Sequence, residues 1–180
     1  MIIGITGTIG AGKGTVVSYL EEHYGFHHYS ARTLLTEVLN ERGVPIDRDA
    51  MRTLANELTE RHGASYIATE LFRRAKAPAV IESIRRPSEV EHIQVNGGVV
   101  LAVDADQELR FARIKKRGSE TDDVSFETFQ KQEAVEMNSD DPNEQNIASC
   151  IQSADYALSN NGTFEELHTQ IDTVIRELQS

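Results

Sequence analysis

Between an apolar segment, Ile2-Ile-Gly-Ile-Thr6, and a segment with Val16, Val17, Leu20 and Tyr24 at helical spacing lies Gly7-Thr-Ile-Gly10-Ala11-Gly12-Lys13-Gly14-Thr15. A turn this rich in glycine can curl its backbone N–H groups round an anion without side-chain clash. The helix that follows adds the partial positive charge of its N-terminus. Lys13 is then placed to reach the β- and γ-phosphates of a nucleotide, and a hydroxyl beside it can meet a magnesium ion. Loops of this kind have Ser or Thr directly after the lysine. Here that position is Gly14, and Thr15 supplies the hydroxyl one residue later. A strand, a phosphate cradle and a helix in this order restrict the chain to α/β folds that bind ligands at the carboxyl ends of parallel strands.

The rest of the chain agrees with that restriction. Short apolar segments at Phe26–Ser30, Ala79–Ser83, Val99–Asp104 and Tyr156–Ser159 alternate with helical patterns. Helices are expected over 31–42, 48–62, 64–76, 89–94, 108–117, 125–137 and 163–178. Thr163 would be the N-cap of the last one, with Glu166 closing a capping box, and His62-Gly63 reads as a helix end. Strands that are nearly all apolar imply a parallel sheet covered on both faces. The expected architecture is a three-layer α/β fold with about five parallel strands, in a single domain over residues 1–180.

The 180 residues carry 18 basic and 29 acidic side chains, a net charge of -11. That balance disfavours nucleic-acid and anionic-membrane partners, which need a positive face, but leaves room for a small anionic ligand. Thirteen of the 18 cations are Arg, the fork-shaped partner of phosphate. Cys150 is the only cysteine, which fits a buried thiol in a reducing compartment and a cytoplasmic location. No apolar run approaches the length of a membrane span, and the chain opens as a strand without a signal-peptide pattern.

GTIGAGKGT resembles the loop of P-loop nucleoside-monophosphate kinases of the adenylate-kinase type, with Ile9 where those usually have proline. The resemblance implies a P-loop kinase fold that binds ATP with Mg2+. It assigns Gly7, Gly10, Ala11, Gly12, Lys13, Gly14 and Thr15 to the nucleotide phosphates. His28-Tyr-Ser30-Ala-Arg32 is similar to the family's second strand and the helix that opens its acceptor site, which implies acceptor contacts from Ser30 and Arg32. Ala79-Val-Ile-Glu82-Ser-Ile-Arg85-Arg86-Pro looks like its third strand. That places Glu82 on the magnesium side with Thr15, and Arg85 and Arg86 on the acceptor, with Arg86 at its phosphate. Leu109-Arg-Phe-Ala-Arg113-Ile-Lys-Lys-Arg117 resembles the helix that enters the lid, so Arg113 and Arg117 would lie over ATP. The segment around Asn160-Asn161-Gly162 is similar to the adenine-side loop of dephospho-coenzyme A kinases, which brings Asn161 and Gly162 to ATP. A small helical acceptor-binding insertion over 31–77 and a short lid over about 118–143 complete the expected layout.

Other readings compete at several of these residues. Arg113 and Arg117, four apart on one helix face, could belong to a solvated basic surface with Arg110, Lys115 and Lys116. From Glu120 to Glu144 the chain has nine acidic residues and one lysine, which reads best as a solvated helix with polar flanks. Asp106 reads as the cap of the helix that follows it. The histidines show no metal-ligand spacing and are assigned no chemistry. With no acidic residue between His28 and Glu37 to act as base for a hydroxyl, a phosphate-bearing acceptor is favoured, and a nucleoside or deoxynucleoside monophosphate is expected. The alternatives are a dephospho-coenzyme A kinase-like enzyme and an ATP-binding switch without turnover.

Overall fold

In the computed structural model, which describes residues 1–118, 124–139, 141 and 144–180, the apolar segments pair into one sheet. Its strands are β1 (Ile2–Gly7), β2 (His27–Ser30), β3 (Ala79–Ile84), β4 (Val99–Asp104) and β5 (Tyr156–Ser159). All neighbours are parallel, in the order β2-β3-β1-β4-β5. From β1 the chain passes to the edge strand β2, returns to place β3 between the two, then crosses β1 to add β4 and β5 on the other side. The phosphate loop leaves β1 at that reversal, where an open α/β sheet has its natural crevice.

The helices are α1 (Lys13–Tyr24), α2 (Ala31–Glu41), α3 (Arg48–His62), α4 (Tyr66–Arg74), α5 (Pro87–Val95), α6 (Gln107–Arg117), α7 (Phe126–Met137), α8 (Ile147–Gln152) and α9 (Phe164–Leu178). Alternation along the strands divides the core in two. Ile3, Ile5, Val80, Leu101 and Val103 pack with Val16, Val17 and Leu20 of α1 and Leu167, Ile171 and Ile175 of α9. Ile81, Ile84 and Val100 face the other layer, with Leu34, Leu35 and Leu39 of α2, Leu54 and Leu58 of α3, Leu71 of α4 and Ile93 of α5. The expected insertion at 31–77 is therefore α2, α3 and α4, whose apolar faces share a core with the sheet.

Local signals decide several element ends. Thr163 Oγ1 accepts from Glu166 N at 3.2 Å and Glu166 Oε2 from Thr163 N at 2.8 Å, the capping box read from the sequence. Gly63 ends α3. Asp106 stands at the N-cap position of α6, yet its side chain makes no capping bond. Its Oδ1 accepts from Asn161 Nδ2 at 3.0 Å, because Asn161 also takes its backbone N–H at 2.7 Å. Helix α8 has no counterpart in the expected elements: its six residues are too few to show a period. Asn146 caps it through Ser149 N at 2.9 Å, and Cys150 is fully buried. Between β1 and β3 the register slips: Ile5 faces Glu82, and Thr6 faces Ile84. The skipped residue, Ser83, has φ +74°. Such a bulge bends the strand end and re-aims the residues beyond it.

Of the expected lid, residues 119–123, 140, 142 and 143 lie outside the described ones. Its central helix is α7, which docks on α6: Phe129 is buried and meets Phe111 at 5.6 Å between ring centroids. Among the described residues no helix is long and apolar enough to cross a membrane.

Ile171 is fully buried between α9 and the sheet, whereas Val135 is 76% exposed. Ile171→Ala should cost ~2–5 kcal/mol of unfolding free energy, and Val135→Ala less than about 0.5 kcal/mol. Urea denaturation of both variants checks this, and equal midpoints would contradict the assigned core.

Candidate active site

The loop after β1 is held from outside by three elements. Thr8 Oγ1 donates to Asp104 Oδ1 at the end of β4, at 2.6 Å. Arg110 Nη1 of α6 donates to Ile9 O at 3.2 Å. Asn160 Nδ2, just past β5, donates to Ala11 O at 2.7 Å. The glycines make these approaches possible. A Cβ on Gly10 would stand 2.7 Å from the carbonyl oxygen of Arg110, and one on Gly12 would stand 2.2 Å from Asn160 Nδ2. Both glycines also have φ in the left-handed region, +78° and +98°.

Lys13 opens α1 and turns back over the loop. Its Nζ donates to Gly7 O and Thr8 O, each at 2.8 Å. Its pKa is lowered to about 8, chiefly by burial of the ammonium and next by the charge of Arg85, against the opposite pull of Glu82 and Glu136. An ammonium stripped of water and held on two neutral carbonyls is short of negative charge, and phosphate oxygens supply it.

Around Lys13 opens a cleft of about 920 Å³. Its lining comes from the phosphate loop (Gly10, Gly12, Gly14 and Thr15), from Glu82 of β3, from Arg113 and Arg117 of α6, and from Asn160, Gly162 and Phe164 after β5. Glu82 accepts from His28 Nε2 at 3.1 Å. That bond holds the carboxyl below its ordinary pKa and the imidazole above its own. An ionised carboxylate and a hydroxyl in one cleft fit magnesium, a hard cation that takes one or two protein oxygens and keeps waters and phosphates for the rest. Among the described residues no cluster of three or more metal-ligating side chains exists, so a dedicated protein cage is not what this site offers.

Arg113 Nη2 donates to Asn160 O at 2.8 Å, and its buried Nη1 has no hydrogen-bond partner. A buried guanidinium nitrogen without a partner, on a residue that lines the cleft, is a donor left over for a ligand acceptor.

The sequence-predicted residues divide into three groups. Gly10, Gly12, Lys13, Gly14, Thr15, Glu82, Arg113, Arg117 and Gly162 line the cleft. Gly7 and Ala11 support it through their carbonyls, to Lys13 and Asn160. Asn161, Ser30, Arg32, Arg85 and Arg86 lie elsewhere. Asn161 pins Asp106. Ser30 caps α2 through Thr33 N at 3.1 Å, and Arg32 is exposed on the first turn of α2. Arg86 lies over Glu89, with Nη1 3.7 Å from its carboxylate. Arg85 bonds Glu136 and Gln145, yet its charge still reaches Lys13.

Four residues of the site carry roles not read from the sequence. Asn160, not its neighbour, ties the loop to Arg113. His28, assigned no chemistry, holds Glu82. Arg110 is buried, not solvated: its guanidinium bonds Ala105 O at 2.7 Å, Ile9 O and the carboxylate of Glu133. Glu133 comes from the acidic segment, and with Phe129 it turns one face of α7 inward, so that segment is not wholly a solvated surface. Cys150 is buried as expected, and burial pushes its thiol up to about 12, which leaves it inert as a nucleophile.

The family described as an AAA domain matches residues 3–146. A UPF0200 protein of Methanocaldococcus jannaschii is 27% identical over 185 residues, 99% of this chain and 90% of its own length. The crystal structure of TT1252 from Thermus thermophilus is 25% identical and superposes with a TM-score of 0.65, covering 100% of this chain and 98% of that one. Shikimate kinase from Aquifex aeolicus is 16% identical with a TM-score of 0.57, over 99% of this chain and 98% of that one, a likeness of fold.

The lowered pKa of Lys13 gives the site a pH dependence. In the free protein the ammonium loses its proton as the pH rises through about 8; phosphate oxygens against it would hold the proton on. Nucleotide affinity should therefore fall by about tenfold per pH unit above about 8. Lys13→Arg stays charged there and should give a flat profile. Titration calorimetry with ADP from about pH 7 to 9.5 checks this, and parallel slopes for both proteins would contradict the assignment.

Proposed function

Because the chain belongs to the AAA-domain family and has a P-loop kinase-like fold, we propose that it is an ATP-dependent phosphotransferase acting on a phosphate-bearing small molecule. The acceptor class we favour is a nucleoside or deoxynucleoside monophosphate. One observation carries the reading. The desolvated ammonium of Lys13 lies in a glycine-lined cleft that Glu82, Arg113 and Arg117 also line.

Phosphoryl transfer asks for positioning and charge neutralisation more than for covalent chemistry. When bound, ATP would supply the phosphoryl group, and magnesium would neutralise phosphate charge. Gly10, Gly12 and Gly14 give the phosphates close approach to backbone N–H groups. Lys13 exchanges its loop carbonyls for phosphate oxygens and follows the charge that builds on the transferring group. Thr15 and the His28-held Glu82 are the oxygens for the metal side. Arg113, fixed by Asn160, takes the nucleotide side, and Arg117 screens the transferring group from water.

The acceptor group is read from the cations that follow β3. An acceptor phosphate is already ionised near neutral pH and needs a cation, not a base. We assign that role to Arg85, which follows β3 at the carboxyl edge of the sheet and whose charge acts on Lys13. Arg86 acts through Glu89, whose buried carboxylate accepts from the backbone N–H groups of both arginines at 2.8 and 3.0 Å and so orients the turn.

Initial rates of ADP formation across ribo- and deoxyribonucleoside monophosphates, with dephospho-coenzyme A beside them, test the reading. One monophosphate class should accelerate ADP formation well above the rate with ATP alone. Acceleration by dephospho-coenzyme A only would assign a hydroxyl acceptor. Tight ATP binding with no acceleration would leave a switch protein.

Lys13→Ala should lower turnover by ~10²–10³-fold, the worth of one preorganised cationic or hydrogen-bonding group at the transferring phosphate. Its melting temperature should not fall, because a buried charge is removed rather than a packing group. Arg85→Ala should raise the acceptor KM more than the ATP KM, and Arg117→Ala the reverse. Equal effects of Arg85→Ala on both constants would reject its acceptor role.

A further inference from the structure

Among the described residues two ion pairs join helix α7 to the surroundings of the site, and they differ in kind. Arg110–Glu133 is closed to water, with side-chain exposures of 7% and 9%. Arg85–Glu136 is open, at 3.3 Å with exposures of 39% and 36%. The first is part of the frame. The second holds little energy, since an exposed pair is worth ~0–1 kcal/mol, and can exchange partners with a solute.

Everything about Arg85 except its charged end is tied down. Its N–H donates to Glu89 Oε2 at 2.8 Å, and its carbonyl accepts from Asn146 N at 3.0 Å. One guanidinium nitrogen, Nη1, serves Glu136 Oε2 at 3.3 Å and Gln145 Oε1 at 3.1 Å. Both Arg85 and Glu136 act on the charge of Lys13, from opposite signs. A carboxylate therefore sits on the Arg85 guanidinium through a single long bond, beside the cleft and within electrostatic reach of Lys13. A phosphate dianion brings twice the charge and can take the guanidinium fork with two oxygens.

We propose that Glu136 is an internal stand-in for the acceptor phosphate: its carboxylate occupies the anion position on Arg85 and is displaced by a phosphate dianion when the acceptor binds. Glu136 is then a specificity-determining residue. It keeps Arg85 oriented while the acceptor site is empty, and sets a charge threshold that a neutral or singly charged group does not pass. This rests on the assignment of Arg85 to the acceptor.

The test measures anion binding, not turnover. The full-length protein is saturated with magnesium-ADP to fill the phosphate loop, and inorganic phosphate is titrated while the melting temperature is followed. Glu136→Gln should lower the half-saturating phosphate concentration by about threefold, the effect of removing one exposed competing pair. Glu127→Gln removes the same charge from the same helix, where Glu127 pairs with Lys131, and should leave the phosphate response as in the wild type. Arg85→Ala should abolish the response. Glu136→Gln matching the wild type or binding phosphate more weakly would overturn the proposal. So would Glu127→Gln tightening phosphate as much as Glu136→Gln, which would reduce the effect to net charge. If Glu136 controls phosphate binding but no monophosphate is turned over, the kinase reading fails and the anion site stands. If monophosphates are turned over and Glu136→Gln binds phosphate like the wild type, Glu136 fails alone.

Discussion

A lysine ammonium taken out of water and closed onto the carbonyls of its own loop is the interaction around which this molecule is arranged. Desolvating an ammonium is costly, and two neutral carbonyl oxygens compensate for it only in part. The lowered pKa of Lys13 expresses that residual cost. The loop keeps its shape because three neighbours hold it: Asp104 at the end of β4 through Thr8, Arg110 of α6 through Ile9, and Asn160 just past β5 through Ala11. The resting site is thus poised for an anion, with the ordering done before a ligand arrives.

The frame carries its own expense. Arg110 and Glu133 are a buried ion pair, and such pairs seldom add net stability over apolar residues of the same shape. What the pair supplies here is position. It fastens α7 to α6 and the loop together, with Gln107 Nε2 on Glu133 at 2.6 Å and the ring of Phe129 under the guanidinium. Glu89 does the same for the turn after β3. Its carboxylate is held high in pKa by burial, although two backbone N–H groups and Arg86 pull the other way. Rigid, internally paired charges thus stand beside the cleft, and the more open Arg85–Glu136 pair adjoins it.

Much of this was legible in the chain before any coordinates. The β1 loop, the five strands and the capping box at Thr163 depend on local chemistry: glycine freedom, apolar runs, a hydroxyl three residues from a carboxylate. What was not legible depends on which neighbour an element meets. Arg110 and Arg113 lie three apart on one helix, and no spacing rule says that the first is buried under α7 while the second faces the cleft. Glu133 reads as one more charge in an acidic run until Arg110 stands opposite. Asn160 and Asn161 differ by one step along the backbone, and the turn after β5 decides which reaches the loop. His28 meets Glu82 only because β2 pairs with β3 in parallel, a long-range register that neither segment encodes alone. Six residues made α8 too short for periodicity, though Asn146 carried a cap signal.

The central claim is that this cleft moves a phosphoryl group onto a phosphate-bearing acceptor. The most direct measurement is the fate of the label when the protein, magnesium and γ-labelled ATP are incubated with a mixed pool of nucleoside monophosphates and the products are separated. The account predicts label in a nucleoside diphosphate, with little in inorganic phosphate. Label recovered only as inorganic phosphate, at a rate indifferent to the pool, would contradict it.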